Sequence, residues 1–108
     1  MNRMRQLPHP KLKAITLARV LAALSDPVRL SIVSALADGA ECGWGEFDVG
    51  VGASTLSHHI KVLREAGVVN HRKDGTHCFV ALRPDLEVVF PGLLKTILTC
   101  AARERHVP

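Results

Sequence analysis

The stretch STLSHHIKVLREAG, Ser54–Gly67, decides the fold. At 100° per residue Leu56, Ile60 and Leu63 fall within one narrow wedge, while Ser54, His58, Lys61 and Glu65 lie on the opposite side and Thr55, Ser57 and Val62 on the flanks. Such a segment is a helix with one face to pack and one that is polar, basic and built from small residues. Gly67 is its stop.

Upstream, Gly50-Val51-Gly52-Ala53 reads as a tight turn, and the glycines at 43, 45, 50 and 52 leave room only for a short helix around Trp44–Val49. Trp44 and Phe47, half of the four aromatics, serve to anchor that segment to the core. Ser25-Asp26-Pro27 is a helix start, because Asp accepts from free amides at an N-cap and Pro fits the first helical position. The helix it opens runs from Pro27 to about Ala37, with Val28, Ile32 and Leu36 on one side and Asp38-Gly39 as its end. Before it, Leu17, Val20, Leu21 and Leu24, extended by Leu12 and Ile15, predict a helix over 11–24.

Downstream, Val68–Lys73 and Thr76–Leu82 are strand-like runs about Asp74-Gly75, a strong hairpin signal. Alternation along the second run turns Cys78, Val80 and Leu82 to the core and sets His77 on the other face. Pro84 and Asp85 open a last helix whose apolar stripe, from Leu86 to Leu98, is kinked or interrupted by Pro91-Gly92. The expected class is therefore mainly α with a small β-hairpin, in the order helix, helix, short helix, helix, hairpin, helix.

A short helix, a tight turn and a second helix with a polar outer face is the arrangement that lays one helix in the DNA major groove, with a basic hairpin beside it reaching the backbone or a neighbouring groove. Ser54, Thr55 and Ser57 suit phosphates or base edges, and His58 and Lys61 suit guanine N7 and O6 or phosphates. Arg72 and Lys73 sit at the hairpin tip.

Charge agrees. The 108 residues carry a net +4, distributed as +5 over 1–25, −4 over 26–53, +3 over 54–83 and zero over 84–108. The +3 segment also holds His58, His59, His71 and His77, so it is the expected anion-facing surface. One domain is expected, with a flexible basic arm at 1–10 and the DNA-binding and dimerisation domain at 11–105. No run reaches the ~18 apolar residues of a membrane span. The start leads into Pro8-His9-Pro10 rather than an apolar signal core, so a cytoplasmic protein with no membrane partner is expected. Three widely spaced cysteines, Cys42, Cys78 and Cys100, read as reduced thiols. An enzyme is not expected: there is no phosphate-cradling glycine loop, and Ser57, His58 and His59 are helical neighbours that do not face one another.

Three ordered segments carry a family resemblance: Leu24-Ser25-Asp26-Pro27-Val28-Arg29-Leu30-Ser31-Ile32-Val33, the run from Ser54 to Val69, and Arg72-Lys73-Asp74-Gly75. Together they resemble the ArsR/SmtB family of bacterial winged helix-turn-helix repressors over roughly residues 15–100. The resemblance implies a homodimer on a palindromic double-stranded operator, with recognition helix 54–66, adding His59 and Arg64 to the contacts, and wing 70–78, adding Thr76 and His77. It also implies dimerisation through the first and last helices, and the stripes of Leu17, Val20 and Leu21 and of Leu93, Leu94 and Ile97 independently exceed what one small core buries.

Where family members sense metal through Cys-X-Cys, this chain has Cys42 and then Trp44, and where others begin a site with Asp-X-His it has Asp85-Leu86-Glu87. Cys42, Asp85 and Glu87 are thus an incomplete metal set, and no cofactor is expected. His71 and His77 across the hairpin read as DNA-facing rather than as ligands. Cys42 and Cys100 are the thiols for a redox-responsive alternative, Cys42, Asp85 and Glu87 the residues for a metal-responsive one, and a protein-interaction module on the same scaffold is a further alternative. The effector is left open.

Overall fold

The computed structural model describes residues 4–47 and 49–106. Five α-helices, α1 (Leu17–Leu24), α2 (Pro27–Ala35), α3 (Ala53–Ala66), α4 (Asp85–Val89) and α5 (Leu93–His106), surround four strands, β1 (Met4–Gln6), β2 (Cys42–Gly43), β3 (Val69–Asp74) and β4 (His77–Leu82), among the described residues. The sheet order is β1-β3-β4-β2, every neighbour antiparallel. This is the mainly helical winged helix-turn-helix expected from the sequence, with a sheet wider than a hairpin.

The core is built where the helical wedges meet the sheet: Val20 of α1, Ile32 and Val33 of α2, Ile60 and Leu63 of α3 and Val80 of β4 are fully buried. Burial of side chains of this size stabilises by roughly 1.5–3 kcal/mol each before entropy is counted. Val20, expected at a dimer interface, belongs to this core instead, because α1 turns it toward α3 while Leu17 and Leu21 stay exposed.

The first helix is shorter than the periodicity of 11–24 suggests. Leu12–Ala14 forms a single 3-10 turn, Ile15 and Thr16 are extended, and α1 begins only at Leu17, with Thr16 Oγ1 accepting from the Arg19 amide at 3.4 Å. The break lets the Ile15 side chain drop into the core against Gly67. Gly67 ends α3 at φ +89°, a left-handed cap that only glycine adopts without cost.

At the start of α2, Asp26 Oδ1 accepts from the amides of Val28 (2.8 Å) and Arg29 (3.1 Å), and these bonds, the Arg29 amide foremost, hold its carboxyl below the usual carboxylate range. α2 ends at Ala35, two residues earlier than the expected Ala37, and the amide of Gly39, at φ +84°, donates to the Leu36 carbonyl.

Three other expectations shift. The expected short third helix is instead β2 followed by one 3-10 turn, Trp44–Glu46, since glycines at 43 and 45 disfavour propagating a helix. The hairpin closes on the Asp74–His77 pair with Gly75-Thr76 as its loop, one residue later than expected, because Gly75 takes φ +63° at the first central position, the II′ pattern. The beginning of the chain is not a free arm over all of 1–10: Met4–Gln6 pairs with β3, the Leu7 amide donates to the His71 carbonyl at 3.1 Å, and the His71 amide donates to His9 Nε2 at 2.9 Å. Residues 1–3 of that arm lie outside the described residues. Pro91-Gly92 does interrupt the last helix, separating α4 from α5 with Gly92 at φ +79°.

A Cβ at Gly67 would lie 2.6 Å from Ile15 Cγ1, whereas one at Gly50 (φ +74°) meets nothing within 4 Å. Gly67→Ala is expected to cost about 2–4 kcal/mol, left-handed strain plus overpacking, and Gly50→Ala only about 1 kcal/mol, read from urea midpoints at unchanged m. Equal losses would show that the Ile15 contact relaxes freely.

Candidate nucleic-acid interface

The outer face of α3 carries Ser54, Thr55, Ser57, His58 and Lys61, all exposed, while Leu56, Ile60 and Leu63 fix the helix to the core from behind. The N-cap is Gly52, which supplies no side-chain acceptor to the first-turn amides on this exposed end.

Two residues expected on this face turn away from it. His59 is 9% exposed and belongs with the packed side, 60° from Leu56 on the helical wheel. There its Nδ1 lies 3.2 Å from Arg29 Nη1. A guanidinium only donates, so Nδ1 is the acceptor and the neutral ring carries its proton on Nε2. Arg29 Nε donates in turn to the Ala23 carbonyl at 2.6 Å, tying the end of α1, the start of α2 and the middle of α3 together. Nothing in residue type announces that role, although Arg29 is the one cation in an acidic stretch. Arg64 is half-buried and leans toward β3, its Nη1 3.5 Å from His71 Nδ1.

On the wing, Lys73 is half-buried and Thr76 and His77 are exposed. Arg72 is engaged within the chain. Its Nε and Nη2 donate to the two Glu41 carboxylate oxygens at 2.8 and 2.6 Å, and its guanidinium lies 4.5 Å from the Phe79 ring centroid. The Glu41 bonds raise the guanidinium pKa further.

His71 is buried at the centre of the sheet, stacked on Trp44 with ring centroids 5.4 Å apart. Burial first, then the charges of Arg64, His9 and Lys73, lower its pKa to about 4. His9, whose Nδ1 also bonds the Leu7 carbonyl, is lowered as well, chiefly by burial. His71 therefore faces the core rather than DNA. It pairs with Val80 and not with His77, which is opposite Asp74, so the two histidines do not meet across the hairpin.

Of the sensing candidates, Cys42 is half-buried on β2 opposite Val80, and burial, followed by Glu46 and Asp38, raises its thiol pKa, the direction that disfavours a reactive thiolate. Cys100 is exposed on α5. Cys78 shares the Val80 face of β4 but is only half-buried near the hairpin end. Asp85 holds Arg83 at 3.0 Å, and Glu87 accepts from the Gly92 amide at 3.0 Å. Among the described residues no three His, Cys, Asp or Glu side chains are grouped to hold an ion, and no helix is long and apolar enough to cross a membrane. Leu17 and Leu21 are each 45% exposed, and Leu93, Leu94 and Ile97 are half-buried. A groove of about 720 Å³ runs between the end of β4, α4 and α5, walled by Leu82, Leu86, Leu94 and Leu98, and touches neither α3 nor the hairpin tip.

Residues 26–71, from the Asp26 cap to His71, match the sequence model described as bacterial regulatory protein, arsR family. The chain is 39% identical over 84 residues to the HTH-type transcriptional regulator YceK of Bacillus subtilis, covering 74% of this chain and 84% of that one. It is 36% identical over 95 residues to the biofilm growth-associated repressor of Xylella fastidiosa, covering 86% and 82%. The crystal structure of the transcriptional repressor BigR from Xylella fastidiosa superposes with a TM-score of 0.63 at 34% identity, over 78% of this chain and 84% of that one.

The buried histidines set a pH dependence. A lowered pKa means that the unfolded chain, titrating near 6.5, binds the proton more tightly than the folded one, so the stability from neutral His71 is complete above pH 6.5 and is lost as pH falls toward 4. The urea midpoint is expected to drop between pH 7 and pH 5, and His71→Phe, which keeps a ring against Trp44, is expected to lose part of that drop. An unchanged pH profile in the variant would assign the effect elsewhere.

Proposed function

Because the chain belongs to the arsR family of bacterial regulatory proteins, we propose that it is a homodimeric repressor that reads a palindromic operator with α3 and steadies itself on the backbone with the wing. The chain is a transcriptional regulator and not an enzyme, and its partner is DNA. The observation that carries the finer reading is the outer face of α3: five exposed polar side chains, Ser54, Thr55, Ser57, His58 and Lys61, on a helix whose other side is locked in the core. Hydroxyls, an imidazole and one cation at this spacing can divide between base edges and phosphates, while nothing large and apolar obstructs the groove.

The dimer is supported by Leu17 and Leu21, exposed on α1, and by the half-buried stripe of Leu93, Leu94 and Ile97 on α5. A palindromic operator demands two α3 helices about one helical turn of DNA apart, and a dimer burying these leucines is the arrangement we propose to supply them. Val20 takes no part, being inside the protomer.

The wing makes a smaller electrostatic contribution than its composition suggests, because Arg72 is already matched by Glu41.

Three measurements test this reading. Lys61→Ala is expected to weaken binding to the DNA upstream of the chain's own coding sequence and to lower the slope of log K against log salt by about one. Glu41→Gln, which frees Arg72, is expected to steepen that slope by about one, with Arg72→Ala costing less than Lys61→Ala. Leu17→Glu with Leu21→Glu is expected to give a folded monomer by sedimentation that binds this DNA at least tenfold more weakly. A parent protein that prefers this DNA over random duplex by less than tenfold would sink the operator reading.

A further inference from the structure

We propose that the groove between the end of β4, α4 and α5 is a binding site for a small carboxylate with an apolar body, its charged end held by Arg83. The groove touches neither α3 nor the hairpin tip, so the site stands apart from the DNA-binding reading above. Three observations carry it.

The first is size and lining. The groove measures about 720 Å³, within the ~300–1,000 Å³ of small-molecule pockets, and Leu82, Leu86, Leu94, Leu98 and Ala102 wall it. An occupant with an apolar body takes that surface out of water.

The second is charge. Arg83 lines the same groove, and its side chain is 8% exposed, while that of its counter-ion Asp85 is 49% exposed. Nε and Nη2 both reach a single oxygen, Asp85 Oδ2, at 3.0 Å. Nη1 is buried and has no hydrogen-bond partner among the described residues. A buried donor without an acceptor is unfavourable, and a counter-ion screened by water compensates the guanidinium only weakly. A carboxylate entering from the groove supplies the missing acceptor after a small turn of the guanidinium, whose planar fork matches it. Lys95 adds a second cation to the lining, and Glu87, the acid there, already accepts from the Gly92 amide. A neutral occupant would leave Nη1 without a partner.

The third is the position on α5. At 100° per residue, Leu98 and Ala102 fall about 60° and 100° to one side of the buried Ala101, and Ile97 and Leu93 about 40° and 80° to the other. Leu93 and Ile97 belong to the stripe proposed to meet a second copy, so the groove occupies the opposite flank of the helix. Leu94, about 20° from Ala101, is common to both. A copy seated on that stripe need not fill the groove.

Calorimetric titration of the full-length protein with sodium octanoate and with octan-1-ol tests the site. Octanoate is expected to saturate and to bind at least tenfold more tightly than octan-1-ol. Arg83→Gln is expected to weaken octanoate about tenfold and to leave octan-1-ol unchanged, whereas Ala102→Trp, which fills the groove and keeps the cation, is expected to remove both. Urea midpoints check that each variant is folded, and if Arg83→Gln is not, the octan-1-ol comparison and Ala102→Trp decide. The proposal falls if the two probes bind alike, if a folded Arg83→Gln keeps the octanoate affinity, if octanoate binding survives Ala102→Trp, or if no saturable binding is found. It also falls if octanoate binds the variant carrying Leu17→Glu and Leu21→Glu but not the parent, which makes a second copy of the chain the occupant. None of these outcomes touches the salt dependence of DNA binding through Lys61.

Discussion

The Arg29 guanidinium is the fixed point of this structure. Its Nε holds the Ala23 carbonyl at the fraying end of α1 and its Nη1 meets His59 in the middle of α3, while its own amide is capped by Asp26 at the head of α2. Each partner is a group that would otherwise sit half-buried without a bond: a last-turn carbonyl, a first-turn amide, an imidazole nitrogen. Hydrophobic burial gives the three helices their attraction, but it is indifferent to small rotations. A charged fork with fixed donor directions sets the angle at which α3 leaves the core, and so the direction in which Lys61 and His58 face outward.

Much of this was legible from residue pattern. The wedge of Leu56, Ile60 and Leu63, the Gly67 stop, the Asp26-Pro27 start and the Pro91-Gly92 break are all local signals, each set by backbone geometry within a turn or two, and the structure follows them. His59 was legible in angle and misread by type: at 60° from Leu56 it falls on the packed side, yet a histidine on a basic helix suggests a contact. The pairing of Arg72 with Glu41, of Met4–Gln6 with β3 and of Cys42 with Val80 depends on contacts 31 to 70 residues apart in the chain, and no local period encodes them. The one-residue shift of the hairpin loop is a competition between two glycine-containing turns of similar cost, settled by the register of the strands.

Charge is distributed more selectively than composition implies. The acidic stretch ahead of α3 is partly spent on structure, Asp26 capping α2, Glu41 holding Arg72 and Glu46 accepting from the Gly43 amide. Cations divide likewise into those that hold the fold, Arg29 and Arg83, and those that stay outside, Lys61 among them. Net charge therefore overstates how much of the positive surface is available and understates how sharply it is localised.

The sheet order has a further consequence. A two-stranded hairpin that projects from a soluble protein carries two rows of unpaired amides and carbonyls, a template for joining other copies edge to edge. Here both rows are partly covered, β3 over Arg72–Asp74 by the three residues of β1 and β4 over Phe79 and Val80 by the two residues of β2. The strands that remain outermost are too short to recruit a partner of useful length. The same additions that widen the wing thus shorten the edge it offers to other copies.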